Sequence, residues 1–150
     1  MTSFGQDGIF DIEFHYSNAL RVQDHYIDIE ISRHRDDFEL HLRTKALSDS
    51  KDWAKENIDT TFSITKEQFQ NVIASIQKIS CAAIIKEVET FGIGHDGNIC
   101  EIVYGSFNNA ITYKVWTPNS DTNKRGLTDF YNCCVLIAKT AGLKSTILFK

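Results

Sequence analysis

Chemistry in this chain would have to come from histidine, carboxylate and cysteine, so their spacing is weighed first. The five histidines, His15, His25, His34, His41 and His95, are scattered. None stands in the H-x-H or H-E-x-x-H spacing that puts two imidazoles on one metal. His15 and His41 fall on alternating polar positions, within reach of Glu13, Asp28 or Glu30. A histidine beside a carboxylate can be an acid–base pair or a metal site. The same residues on a solvated sheet face make ordinary cross-strand pairs, and that reading is preferred. Cys81, Cys100, Cys133 and Cys134 form no C-x-x-C pair and have no histidine at ligand spacing. They read as small hydrophobic filler in a reducing compartment. A Cys100–His95 couple has no supporting context, and no G-x-S-x-G elbow is present. Phe91-Gly-Ile-Gly94 before His95-Asp-Gly97 lacks the G-x-G-x-x-G spacing and precedes a predicted strand, so it reads as a turn rather than a phosphate loop.

Charge and tryptophan supply the remaining candidates. Arg33-His-Arg-Asp-Asp37 is a dense cluster at a predicted hairpin tip, able to grip a partner or simply to be solvated. Trp53 lies in a charged, aperiodic loop, and tryptophan is favoured at binding hot spots. Trp116, just before Pro118, is expected to be a core lid. Lys124 and Arg125 precede a predicted helix, where cations oppose the dipole. They read as tolerated surface charge, with contact to an acidic group as the alternative.

The elements that position these residues follow from periodicity. Phe10, Ile12, Phe14 and Tyr16 alternate with polar residues, as in a half-buried strand. Tyr26 to Leu47 reads as a hairpin turning at Arg33–Asp37. Its expected register sets Ile31 against Phe38, Ile29 against Leu40, Asp28 against His41 and Glu30 against Glu39. A one-residue slip would turn both apolar sets outward. Ser48 to Asp59 is a loop, and Thr60 to Ile64 a short fourth strand. Thr65 and Gln68 form a capping box, flanked by Ile64 and Phe69 as a hydrophobic staple. The helix they start runs from Lys66 to about Ser80, with Phe69, Val72, Ile73, Ile76 and Ile79 on one stripe. Cys81 to Thr90 either extends that helix or returns irregularly. Ile99–Tyr104 and Ala110–Trp116 form a second hairpin, pairing Tyr104 with Ile111 and Glu101 with Lys114. It has apolar residues on both faces and is expected to be covered on both. A second helix spans about Leu127 to Ala141, with Gly142 at C′. Ser145 to Lys150 is a tail with the pattern of an edge strand.

The expected order is β-β-β-(β)-α-β-β-α: one α+β domain over residues 1–150, an antiparallel sheet of about five to six strands with two helices on it. A length of 150 residues supports one core. The net charge of −4, from 16 cationic and 20 acidic side chains, argues against a nucleic-acid binder and suits a basic partner. No secretory signal and no window of about 18 apolar residues is present, so the expected location is the cytoplasm, with a mature chain whose address was removed as the alternative, and no membrane role is expected.

Asp96-Gly97 leading into the hairpin up to Trp116-Thr-Pro118, and Lys124-Arg-Gly-Leu127 opening a helix that closes at Ala-Gly-Leu143, carry a resemblance over roughly the last 50 residues. The arrangement resembles small bacterial α+β proteins associated with toxin–immunity systems. The resemblance implies a small cytosolic protein that neutralises a cognate toxin domain by binding it, and it carries over no catalytic residues. The leading expectation is therefore a non-enzymatic inhibitor of a basic toxin domain, without metal or cofactor. Its candidate partner-binding residues are Asp28, Glu30, Asp36, Asp37, Glu39 and Trp53. A small enzyme using His15 or His41 with carboxylates, and an oligomerising scaffold subunit, are the alternatives.

Overall fold

A computed structural model describes residues 8–19, 25–46, 57–91, 97–106 and 108–149. Six antiparallel strands form one open sheet: β1 (Asp11–Asn18), β2 (Tyr26–His34), β3 (Asp37–Lys45), β4 (Asp59–Ser63), β5 (Asn98–Ser106) and β6 (Asn109–Trp116). The helices are α1 (Lys66–Gln77), α2 (Cys81–Phe91), α3 (Thr128–Thr140) and the short α4 (Ser145–Leu148). The spatial order is β4-β3-β2-β1-β5-β6. The first four strands thus form a meander outward from β1, and the second hairpin joins β1 on its other side. The fold is α+β, as expected.

Strict alternation decides which face is dry. Ile12, Phe14 and Tyr16 of β1 point to the same side as Ile27, Ile29 and Ile31 of β2 and Leu40 and Leu42 of β3. Cys100 and Ile102 of β5 and Tyr113 and Val115 of β6 continue that surface. All are buried, beneath Phe69, Val72, Ile73 and Ile76 of α1 and Phe130, Cys133, Cys134 and Ile137 of α3. Each large side chain taken out of water here contributes roughly 1.5–3 kcal/mol, and this layer is the core. Phe38 and Phe69 join sheet to helix, with ring centroids 5.0 Å apart.

Local signals set the helix ends. The Thr65 side chain accepts from the Gln68 N–H at 3.0 Å, and the Gln68 side chain accepts from the Thr65 N–H at 2.8 Å, completing the capping box. α1 stops at Gln77 rather than about Ser80. The Ser80 hydroxyl accepts from the Ala83 N–H at 3.2 Å and so caps a separate helix, α2. Cys81 to Thr90 therefore neither extends α1 nor returns irregularly. α3 ends in a Schellman motif: Gly142, with φ +79°, donates to the Lys139 carbonyl, and Leu143 donates to that of Ala138.

Three further expectations are corrected. The β2–β3 register is displaced by two residues, pairing Ile31 with Leu40, Asp28 with Arg43 and Glu30 with His41. His34 pairs with Asp37, so the turn is only Arg35-Asp36, and Arg35 takes the left-handed φ of +57° that such a turn demands. A two-residue shift keeps every side chain on its face, which is why alternation could not detect it. The tail is helical over Ser145–Leu148, held where the Tyr16 hydroxyl donates to the Leu148 carbonyl at 2.7 Å. The second hairpin pairs as expected, Tyr104 with Ile111 and Glu101 with Lys114. Its second face is not closed over, since Ile99, Val103 and Trp116 are only half-buried.

Candidate functional site

The face of the sheet opposite the core carries polar side chains in register. One row crosses all six strands: Asp59, Arg43, Asp28, His15, Glu101, Lys114. Its signs alternate when His15 is protonated. The neighbouring row reads Thr61, His41, Glu30, Glu13, Val103, Thr112. Adjacent strands lie about 4.8 Å apart, so each residue in a row touches the next.

Contacts knit the rows together. The His15 Nδ1 lies 2.7 Å from Asp28 Oδ1, and its Nε2 lies 3.2 Å from Glu13 Oε2. In the imidazolium form both nitrogens donate, and both are committed to carboxylates. Burial opposes that charge, but the hydrogen bonds to Asp28 and Glu13 and the fields of Asp28 and Glu101 outweigh it, so the His15 pKa lies above its ordinary value. His41 Nε2 stands 2.6 Å from Asp59 Oδ1, and its Nδ1 stands 4.0 Å from Glu30 Oε2. Arg43 donates to Glu30 at 2.9 Å, and the Lys114 ammonium is 3.8 Å from Glu101.

The face is acidic. Among the described residues, Asp11, Glu13, Asp28, Glu30, Asp37, Glu39, Asp59 and Glu101 share it with three permanent cations, Arg43, Lys45 and Lys114. Eight carboxylates against three cations leave −5 with histidine neutral, whereas the whole chain carries −4. The rest of the chain is close to neutral.

Of the residues singled out from the sequence, Asp28 and Glu30 lie together at the centre of this face on β2. Asp36, Asp37 and Glu39 line a cavity of about 370 Å³ at the hairpin tip, with Phe38, Ser63, Ile64 and Lys66. The two groups occupy one side of the sheet but not one pocket. Trp53, His95 and the glycines of the 92–94 stretch lie outside the described residues. Arg43, Asp59 and Glu101 belong to the site although sequence reasoning did not select them for it, and Glu13 was named only as a neighbour of the histidines. Their signal was the alternation of polar positions, and only the strand order aligns them.

Arg125 is not the tolerated surface charge expected. Its side chain is 5% exposed and that of Glu87 4%. Arg125 donates through Nε and one Nη to Glu87, and through the rest to the carbonyls of Trp116, Thr117 and Ser120 at 2.7–2.8 Å. All five of its N–H groups are thereby used, binding α2 to the end of β6 and the loop before α3. Lys124, beside it, is exposed.

The cysteines are all free thiols. Cys100, Cys133 and Cys134 are buried among core side chains, and burial pushes the Cys133 thiol up to about 12. Cys81 is exposed. Among the described residues no cluster of three or more histidine, cysteine, aspartate or glutamate side chains is disposed to hold a metal ion, and no helix is long and apolar enough to cross a membrane. The large exposed apolar side chains are spread along the chain: Tyr26 on β2, Ile85 on α2 and Ile111 on β6, with Phe10 just before β1 and Ile58 just before β4. Comparison with family models and with curated proteins finds no match to this chain.

Proposed function

We propose that the chain is a non-enzymatic protein-binding inhibitor of the immunity-protein type, which meets a basic surface of a cognate toxin domain with its acidic sheet face and occludes it. The observation that carries this reading is the concentration of the chain's negative charge on the one sheet face that no described helix covers. A field of that sign raises the encounter rate with a basic partner and rejects acidic ones. The rigid ladder beneath the side chains lowers the ordering cost of binding. The His15 geometry favours binding over catalysis. A general base needs a ring nitrogen for its substrate, and both His15 nitrogens are held by carboxylates of the same face.

The test is co-expression of the full chain with the C-terminal domain of the upstream gene's product, whose toxicity alone is measured first. The expected result is restored growth and a stoichiometric complex whose association slows with salt. Asp28→Lys, Glu30→Lys, Asp36→Lys and Glu39→Lys should each slow association further. Undiminished toxicity refutes the inhibitor reading. A complex indifferent both to salt and to these reversals removes the acidic face from it.

A further inference from the structure

Among the described residues of the face, His15 is the one imidazole set among three carboxylates, one on each flanking strand and one on its own. Asp28 faces it from β2, Glu101 from β5, and Glu13 lies two residues away on β1. Behind Asp28 comes Arg43 on β3, and behind Glu101 comes Lys114 on β6. In the adjoining row Glu30 lies opposite Glu13 and is met by Arg43 and His41. His15 is the one imidazole of its row, set between the guanidinium of Arg43 and the ammonium of Lys114.

We infer that His15 is a proton-operated regulator of the acidic face: protonated, it ties Asp28 and Glu13 into internal pairs, and deprotonated, it loses its charge and releases at least one of the two carboxylates to a basic partner. The inference rests on the acidic-face reading and adds its regulation. Two geometric facts support it. Both ring nitrogens contact carboxylates, so loss of one proton must break or invert at least one of the two hydrogen bonds. The residue is 36% exposed, so proton exchange and partner access are both open. The raised pKa places the change at a higher pH than for a free histidine. Affinity for a cationic partner should therefore rise as pH rises from mildly acidic to mildly alkaline. One unit charge acting across about 5 Å at the dielectric of water corresponds to a change of about fourfold.

The experiment measures binding of a fluorescent octa-arginine peptide to the full chain between pH 5.5 and 8.5 at low salt. The wild type should tighten by about fourfold over this span. His15→Gln, never charged, should stay at the tight end, and His15→Lys, always charged, at the weak end, both with a smaller slope. His34→Gln, a control at the hairpin end of the same face, should retain the wild-type dependence on His15. Circular dichroism confirms that each variant is folded. Binding with no pH dependence, or a wild-type slope in both His15 variants, overturns the regulator and leaves the acidic-face reading standing. Failure of the peptide to bind at any pH overturns both.

Discussion

The buried pair Arg125–Glu87 should be the most expensive polar contact in the molecule to break. Replacing Arg125 by alanine leaves a carboxylate 4% exposed with no cation and removes the donors of three carbonyls, those of Trp116, Thr117 and Ser120. Removing one partner of a buried ion pair costs about 3–5 kcal/mol. Each orphaned carbonyl adds up to about 1 kcal/mol where water cannot reach it. A cavity of about 290 Å³, lined by Lys86, Glu87, Lys124 and Arg125, opens beside the pair and offers water to Glu87, which offsets the added carbonyl cost. The expected loss for Arg125→Ala is therefore about 3–5 kcal/mol, against the roughly 5–15 kcal/mol that separates a folded domain from its unfolded chain. The double variant Glu87→Leu/Arg125→Met removes both charges and should lose only about 1–3 kcal/mol, because a buried pair and an apolar isostere are close in free energy. Equilibrium urea unfolding, followed by circular dichroism, reads both values, and the singles Glu87→Leu and Arg125→Met complete the cycle that gives the coupling energy. Lys124→Ala, one residue away and exposed, should stay within about 0.5 kcal/mol of wild type. An Arg125→Ala variant as stable as Lys124→Ala would refute the clamp and restore Arg125 to the surface.

Four further outcomes follow from the same structure. Gly97→Ala should cost about 1–3 kcal/mol in urea unfolding, because φ is +105° there and an added Cβ meets the Thr117 Oγ1 inside contact distance. Arg35→Gly should gain about 0.5–1 kcal/mol, since a non-glycine residue at φ +57° is strained and its backbone hydrogen bonds survive the change. Because the His15 pKa is raised on folding, its stabilisation is complete below the unfolded value near 6.5 and is lost as pH rises through the folded value; the urea midpoint should fall modestly across that window, and less in His15→Gln. A thiol reagent at pH 8 should label Cys81 quickly and spare Cys100, Cys133 and Cys134 until the chain unfolds, which mass spectrometry of the labelled peptides would resolve.

What the sequence disclosed and what it withheld divide by range. The Thr65–Gln68 capping box and the Gly142 C′ position involve residues within a few steps of one another, and they form as their spacing implies. The register of the second hairpin was legible because its short connection and the Glu101–Lys114 pair leave one pairing that suits both faces, although the exposure of its second face was not. The first hairpin was legible only in parity. Arg35-Asp36 carries no Asn-Gly or Asp-Gly signal, so nothing local announced a two-residue turn, and a shift by two residues costs no burial. The end of α1 was obscured because Ile79 continues its apolar stripe, while the Ser80 hydroxyl competes for the backbone and starts α2. Arg125 and Glu87 are 38 residues apart, and no periodicity links them. The acidic face shows the same division. Alternation marks Glu13, Asp28, Glu30 and Glu101 as outward residues. That they form rows depends on β5 lying against β1, a contact between segments more than 80 residues apart in the chain.

Stability gives no reason for so many carboxylates on one face. The apolar face already specifies register, and exposed ion pairs such as Arg43–Glu30, with both side chains 45% exposed, contribute at most about 1 kcal/mol each. The pairing of Glu13 directly opposite Glu30 works against folding, since like charges across a ladder repel. The fold offsets that repulsion by giving Glu13 to His15 and Glu30 to Arg43. Both compensations lie on the open surface, where a cationic partner can compete for the carboxylates, and one of them lasts only while a single imidazole keeps its proton. A sheet built for stability alone would place threonine or lysine at one of the two glutamates. Retaining both concentrates negative charge at the middle of the face, where it is most effective in attracting a basic surface and where His15 can moderate it.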